Sequence, residues 1–135
     1  MADLYQVMKP LIYKLTPEQA HNSTIALLRL GGGIGIGRWV IRTMFRSRQD
    51  GPAVDVFGLH FKNPLGMAAG YDKDGYGWRG LAGLGFSHIE LGTVTPRPQD
   101  GNPQPRLFRV PEAEGVINRM GFNNEGHEAA FERLK

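Results

Sequence analysis

The chain has 135 residues, with 41% hydrophobic and 21% charged side chains, the size and composition of one ordinary globular domain. It contains no cysteine, which excludes disulfides, thiolate metal sites and a cysteine nucleophile from this stretch. The net charge of +3 is uneven: residues 1–50 carry seven Lys/Arg against three Asp/Glu, and residues 51–135 carry nine against ten.

No run reaches the ~18 apolar residues of a membrane-spanning helix. The first residues also lack the apolar core of a secretory signal and the Arg-rich, acid-poor character of a transit peptide. Residues 3–14 read as a short amphipathic helix, with Leu4, Val7, Met8, Leu11 and Ile12 on one face and Pro10 bending or shortening it. A second helix starts at Thr16 as N-cap, with Pro17 in the first turn and Gln19 completing a capping box. Its apolar stripe is Ala20, Thr24, Leu27 and Leu28, and Gly31 is expected to end it. Gly31-Gly32-Gly33 then reads as a hinge. A third helix covers Ile36 to Phe45, with Arg38, Arg42 and Arg46 on one face. Gly51-Pro52 is the best boundary in the chain.

Beyond it the pattern changes to short extended runs. Val54–Phe57 and Leu59–Phe61 predict a hairpin around Gly58. Leu65–Ala69 is a strand of small apolar residues, followed by a Gly- and charge-rich loop. Tyr76–Leu84 reads as a helix and Ser87–Leu91 as the next strand, which together make a parallel βαβ unit. Thr95–Pro105 is a proline-rich loop, and Leu107–Val110 a short strand. Gly115–Asn124 reads as a second loop, from which Asn123 or Asn124 caps a final helix through Glu125, Ala129, Phe131 and Leu134. The fold class is α/β.

In such architectures ligands gather beyond the carboxyl ends of strands. Lys73 stands there between Asp72 and Asp74. It reads either as a locally neutralised surface lysine or as a cation facing a bound anion. Thr93 holds the equivalent place after the next strand. Asn118, Asn123 and Asn124 surround Arg119, Met120, Gly121 and Phe122, and amides in such a loop suit a planar ligand with donors and acceptors. Other chemistries lack their patterns. His21, His60, His88 and His127 have no metal-ligand spacing, and no Gly-x-Gly-x-x-Gly or phosphate-loop register is present. The arginine stripe has neither a nucleic-acid motif nor an aromatic platform beside it. The basic helices pack on a core or lie on a membrane surface.

Four blocks together, Asn63-Pro-Leu-Gly-Met-Ala-Ala-Gly-Tyr-Asp-Lys-Asp-Gly75, Ile89-Glu-Leu-Gly-Thr-Val-Thr-Pro-Arg-Pro-Gln99, Pro105-Arg-Leu-Phe-Arg109 and Ile117-Asn-Arg-Met-Gly-Phe-Asn-Asn124, resemble the dihydroorotate dehydrogenases of the membrane-associated, quinone-linked class. Tyr13-Lys-Leu-Thr-Pro-Glu-Gln-Ala-His21 resembles the helical extension of that class. The resemblance implies a partial (β/α)8 TIM barrel preceded by an amino-terminal membrane-associating helical extension, with the extension over residues 1–50 and the start of the barrel over 51–135. It implies FMN as cofactor, dihydroorotate oxidised to orotate in pyrimidine synthesis, and a membrane quinone as electron acceptor. Ala69, Gly70, Tyr71, Asp72, Lys73 and Thr93 match flavin contacts. Lys73, Asn118, Arg119, Met120, Gly121 and Phe122 match substrate contacts. Tyr71 stands where many relatives are expected to carry an aliphatic residue.

The family's proton-abstracting serine is expected beyond Lys135; Ser23, Ser47 and Ser87 match no such motif. The chain therefore reads as an amino-terminal fragment, inactive and not stably folded alone, since such a barrel takes ~250 residues. No metal and no nucleic acid are expected as partners. The expected location is peripheral, on the cytoplasmic face of a bacterial inner membrane rather than on a mitochondrial one. The rival readings are another FMN-dependent barrel oxidoreductase and a non-enzymatic membrane-surface protein.

Overall fold

Thr16 opens the best-defined helix of the chain. In the computed structural model, which describes residues 2–45 and 51–135, its hydroxyl accepts from Gln19 N while the Gln19 side chain accepts from Thr16 N. This reciprocal capping box satisfies two backbone donors that a helix start otherwise leaves bare. The helices of the amino-terminal part are α1 (Ala2–Ile12), α2 (Pro17–Gly33) and α3 (Gly35–Phe45). Pro10 lies inside α1, which runs on for two residues beyond it.

Two expectations about α2 are corrected. Gly31 does not end the helix, and Gly31-Gly32-Gly33 is not a hinge: α2 continues to Gly33, with Ile34 as its C-cap. The cause is tertiary. A Cβ on Gly32 would stand 2.3 Å from Gly80 N, and one on Gly80 would stand 2.4 Å from Leu28 O. The bare backbones of α2 and of the later helix α4 (Trp78–Gly83) therefore cross in direct contact. Packing of this kind overrides glycine's weak intrinsic preference against helix. The expected stripe also shifts. Leu28 is buried, but Leu27 is 69% exposed. α3 then turns away from α2 by 111°. No single described helix is long and apolar enough to cross a membrane. Arg46 and Ser47 lie outside the described residues.

After residue 51 the strands are β1 (Val54–Val56), β2 (Leu59–Phe61), β3 (Gly66–Met67), β4 (His88–Ile89), β5 (Leu107–Val110) and β6 (Gly115–Asn118). The β1–β2 hairpin forms as expected, with Phe57 and Gly58 both at positive φ in its two-residue turn, as a type I′ turn requires. β3 and β4 pair in parallel, Gly66 with His88 and Met67 with Ile89, and α4 makes the crossover. Both strands are shorter than the expected Leu65–Ala69 and Ser87–Leu91. One bond continues the ladder on each side, Ser87 N to Leu65 O and Glu90 N to Met67 O.

Three further boundaries differ from expectation. α4 starts at Trp78 rather than Tyr76, because the Asp72 carboxylate takes the backbone N–H groups of Tyr76 and Gly77. The Gly115–Asn124 loop begins as strand β6, paired antiparallel with β5 from Leu107–Asn118 to Val110–Gly115. The last helix, α5 (His127–Leu134), has Gly126 as N-cap with no side-chain cap. Neither Asn123 nor Asn124 caps it: Asn123 accepts from Lys73, and Asn124 accepts from Thr95 N and from Gly126 N, ahead of the first helical turn.

Among the described residues the buried apolar side chains are Leu28, Leu81 and Ala130. Leu28 and Leu81 lie where α2 packs on α4, and α4 in turn meets β4. Large apolar side chains of α1 and α3 stay open, among them Val7, Leu11, Ile36 and Trp39.

Candidate functional site

The site grows from the carboxyl end of β3. The chain leaves Met67 through Ala68 and Ala69 and turns at Gly70, whose φ of +100° suits glycine. No atom lies within 4 Å of the place a Gly70 Cβ would take. One wall is therefore nearly bare backbone. The next residues are locked by Asp72, which is 3% exposed. Its two oxygens accept from Tyr76 N at 2.9 Å and Gly77 N at 2.7 Å. Asp74 turns the other way and accepts from Glu125 N at 2.7 Å. Both aspartates are thus committed to backbone donors, and Lys73 is not the self-neutralised surface lysine of the simpler reading. Its ammonium donates to Asn123 Oδ1 at 3.0 Å.

The second wall is the loop after β4, with Gly92 and Thr93, and the third is the segment from the end of β6 towards α5. Asn124 ties these two together. It is buried, donates to Phe122 O at 2.7 Å, and accepts from Thr95 N at 3.1 Å and Gly126 N at 2.9 Å. Backbone bonds between Gln99 and Asn124 run in both directions beside it. Asn102 closes the lower edge, donating through its amide to Arg119 O and through its backbone to Met120 O. The Arg119 guanidinium is spent on Pro105 O.

These walls enclose a cavity of about 530 Å³. Ala69, Gly70, Tyr71 and Lys73 line it from the first segment and Thr93 from the second. Asn118, Arg119, Met120, Gly121 and Phe122 line it from the third. Ten of the eleven residues expected at the site thus meet at one cavity. The exception is Asp72, whose carboxylate points into the loop.

Sequence reasoning missed His21, Gly92, Asn102 and Leu107, which also line the cavity. His21 comes from α2 and meets the Tyr71 ring edge-on at 5.1 Å between centroids. A second cavity of about 720 Å³ lies between α2 and the same loop. His21, Tyr71, Lys73 and Met120 border both cavities and form the partition between them. Nothing local marks His21 for this place. The capping box predicts the helix, but not which loop the helix lies against.

Electrostatics follow from this enclosure. Burial, helped by the Arg106 guanidinium, holds the Lys73 ammonium below the usual lysine range. Burial and then the charge of Lys73 hold His21 below the ordinary imidazole value, so the ring is neutral at neutral pH. Burial raises the Tyr71 phenol. Glu18, near the start of α2, accepts from Arg106 Nε and Nη2 at 3.0 and 2.7 Å. That bond holds the Glu18 carboxyl below its usual range. Arg106 also donates to Asp100 O and Asn102 O, so one guanidinium fastens α2 to the proline-rich loop.

The family model for dihydroorotate dehydrogenase matches residues 52–135. The chain belongs to the dihydroorotate dehydrogenase family. It is 48% identical over 132 residues to a dihydroorotate dehydrogenase (quinone) of Stutzerimonas stutzeri, covering 98% of this chain and 37% of that protein. It is 49% identical, with the same coverage, to proteins of that name from Acinetobacter baylyi and Azotobacter vinelandii. Its backbone resembles a crystal structure of DHODH from Eimeria tenella in complex with ferulenol, with a TM-score of 0.73 and 35% identity over 92% of this chain and 32% of that one. The chain thus spans about 37% of the length of these curated dihydroorotate dehydrogenase relatives.

Proposed function

We propose that this chain is the amino-terminal part of a quinone-linked dihydroorotate dehydrogenase, with residues 1–50 as a membrane-associating extension and 51–135 as the start of an FMN-binding (β/α)8 barrel. One observation carries the reading: a single cavity gathers the strand-end residues Ala69, Gly70, Tyr71 and Lys73, Thr93 of the next strand end, and the 118–122 loop. The parallel β3–α4–β4 unit supports the barrel, and cavities beyond strand ends are where barrel enzymes bind ligands.

The residues present fit a flavin. The cavity volume lies within the usual range for small-ligand sites. Gly70 leaves its wall open to a flat ring, and Lys73 brings a cation held by Asn123. When bound, FMN supplies the ring that accepts hydride from the substrate and passes electrons to the quinone. The protein's own residues do the placing. Lys73 offers positive charge to the substrate carboxylate and to the electron-rich side of the site, and its partial burial strengthens that interaction. Asn118 offers an amide donor and acceptor to the edge of the pyrimidine, and the Gly121 segment shapes the floor. His21 and Tyr71 separate this cavity from the one against α2, which suits the quinone's approach from the membrane side. A neutral His21 in that partition can hold a hydrogen bond without adding charge.

The exposed apolar side chains of α1 and α3 support a peripheral membrane position. Together with bacterial relatives, they favour the cytoplasmic face of an inner membrane. The proton-taking base is expected beyond Lys135, so this chain alone is expected to be inactive. The test is Lys73→Ala in the full-length protein, read by anaerobic rapid mixing with dihydroorotate. Loss of such a preorganised charge costs on the order of 100-fold or more in rate. Flavin reduction at the wild-type rate would refute the assignment of Lys73.

A further inference from the structure

A third cavity, of about 420 Å³, adjoins the one against α2, sharing Arg29, Gly33 and Tyr76 with it, where the end of α2 meets α4 and α5. Arg29 of α2, Arg79 of α4 and Arg133 of α5 all line it. Their charges are not equally balanced. Arg133 is paired with Glu125 and also donates to Asp74 O. Glu132, on the same rim, is paired with Lys135 at 2.6 Å. Among the described residues, neither Arg29 nor Arg79 has a carboxylate within ion-pair distance. Each lies over an aromatic ring instead, Arg29 at 4.7 Å from the Tyr76 centroid and Arg79 at 4.3 Å from that of Trp78. Two guanidinium groups without a contact ion pair among the described residues therefore share one concave site, with Glu125 acting on Arg29 only at longer range.

The Gly32–Gly80 crossing brings these two arginines together. α2 and α4 touch there through bare backbone, and Arg29 and Arg79 sit within one turn of the contact on their respective helices. Like charges repel in such a place unless an anion joins them. Guanidinium groups present paired N–H donors that match phosphate oxygens. The surroundings narrow the class of anion. Leu30 and Ile34, which flank the Arg29 and Gly33 positions, are exposed, and so are Ile36 and Trp39 just beyond on α3. A ligand here would meet two cations that lack a contact ion pair among the described residues, beside an open hydrocarbon surface.

We infer that this cavity binds the phosphate of an anionic phospholipid, with Arg29 and Arg79 on the headgroup and the acyl chains on the apolar side chains of α2 and α3. The site lies apart from the flavin and substrate cavity, and it rests on the membrane-surface reading proposed above. It gives that surface a built anion site in addition to the diffuse attraction of Arg38 and Arg42.

The experiment is vesicle co-sedimentation of the full-length protein with phosphatidylcholine alone and with added phosphatidylglycerol, at ordinary salt and at ~1 M salt, where exposed charges are screened beyond about 3 Å. The wild type is expected to bind both vesicles and to keep its phosphatidylglycerol preference at high salt. Arg79→Gln is expected to lose about tenfold or more of that preference, as for a hydrogen-bonded charge contact, while still binding phosphatidylcholine. Arg38→Gln is expected to lose about fivefold at low salt only. Arg29→Gln carries the same expectation as Arg79→Gln and serves if that variant fails to fold. A preference that vanishes at high salt, or that survives in both cavity variants, overturns the inference and leaves the membrane reading standing. Failure of the wild type to bind either vesicle overturns both. Stabilisation by inorganic phosphate without any phosphatidylglycerol preference overturns the lipid assignment.

Discussion

Replacing Asp72 with alanine removes the acceptor for two backbone donors at once. The carboxylate is nearly fully buried and holds Tyr76 N and Gly77 N at 2.9 and 2.7 Å. Hydrogen bonds to a charged group contribute roughly 1.5–3 kcal/mol each, and a buried donor left bare costs about 1–3 kcal/mol. Water entering the opened loop would recover part of this, so the net cost in the full-length protein is about 3 kcal/mol. The Asp72→Asn variant would keep one acceptor oxygen but turn an amide N–H towards the other backbone N–H, so it should lose about half as much. Thermal melting is the first assay, and ~2 °C per kcal/mol for a larger chain gives a drop of about 6 °C for the alanine variant. Flavin content after gel filtration is the second assay. Lys73 and Tyr71 adjoin Asp72 in the same loop, so a loosened loop should release cofactor more readily. An alanine variant that melts within about 1 °C of wild type with full flavin would refute the reasoning, and Asp72 would then be an ordinary loop residue.

Two other outcomes follow from the packing of α2. Gly80→Ala would place a methyl 2.4 Å from Leu28 O; backbone cannot yield as a side chain can, so the variant should lose about 1–3 kcal/mol or more. Gly33→Ala meets nothing within 4 Å and should be neutral or slightly stabilising in thermal melting; equal melting of the two variants would contradict the close crossing. Glu18 has its folded-state pKa lowered from 4.5, foremost by the bond from Arg106. Its contribution is therefore present above about pH 4.5 and lost as pH falls through the lower folded-state value. Glu18→Gln should melt earlier at neutral pH and show a flatter decline in that acidic window, and parallel pH profiles would refute the link.

Much of the candidate site is legible in the sequence because its residues lie in three short segments whose local chemistry is strong. A run of small residues ending in Gly70 and charge reads as a strand end, and the amides around Arg119 read as a recognition loop. Asp72 departs from expectation because sequence shows a carboxylate beside a lysine but not which way it turns. The backbone donors of Tyr76 and Gly77 decide that. Asn124 departs from its expected role as a helix cap for a similar reason. An Asx residue before a helix favours capping, but the Asn124 amide oxygen accepts from Gly126 N, ahead of the first helical turn, and from Thr95 N of a distant loop.

By itself, the sequence determined the Thr16 capping box, the hairpin around Gly58 and the order strand, helix, strand. Each depends on interactions within a few residues, where spacing and side-chain chemistry suffice. Only the tertiary structure decided that α2 continues through its glycines, that His21 joins the wall of the cavity, and that Arg29 and Arg79 share a pocket. The first and third depend on how closely α2 and α4 approach, a distance set by the missing Cβ atoms of Gly32 and Gly80, 48 positions apart in the chain; the second depends on which loop α2 lies against. A glycine's local signal is the same whether it ends a helix or lets another backbone lie against it. The physical difference lies in the partner, which folding alone supplies.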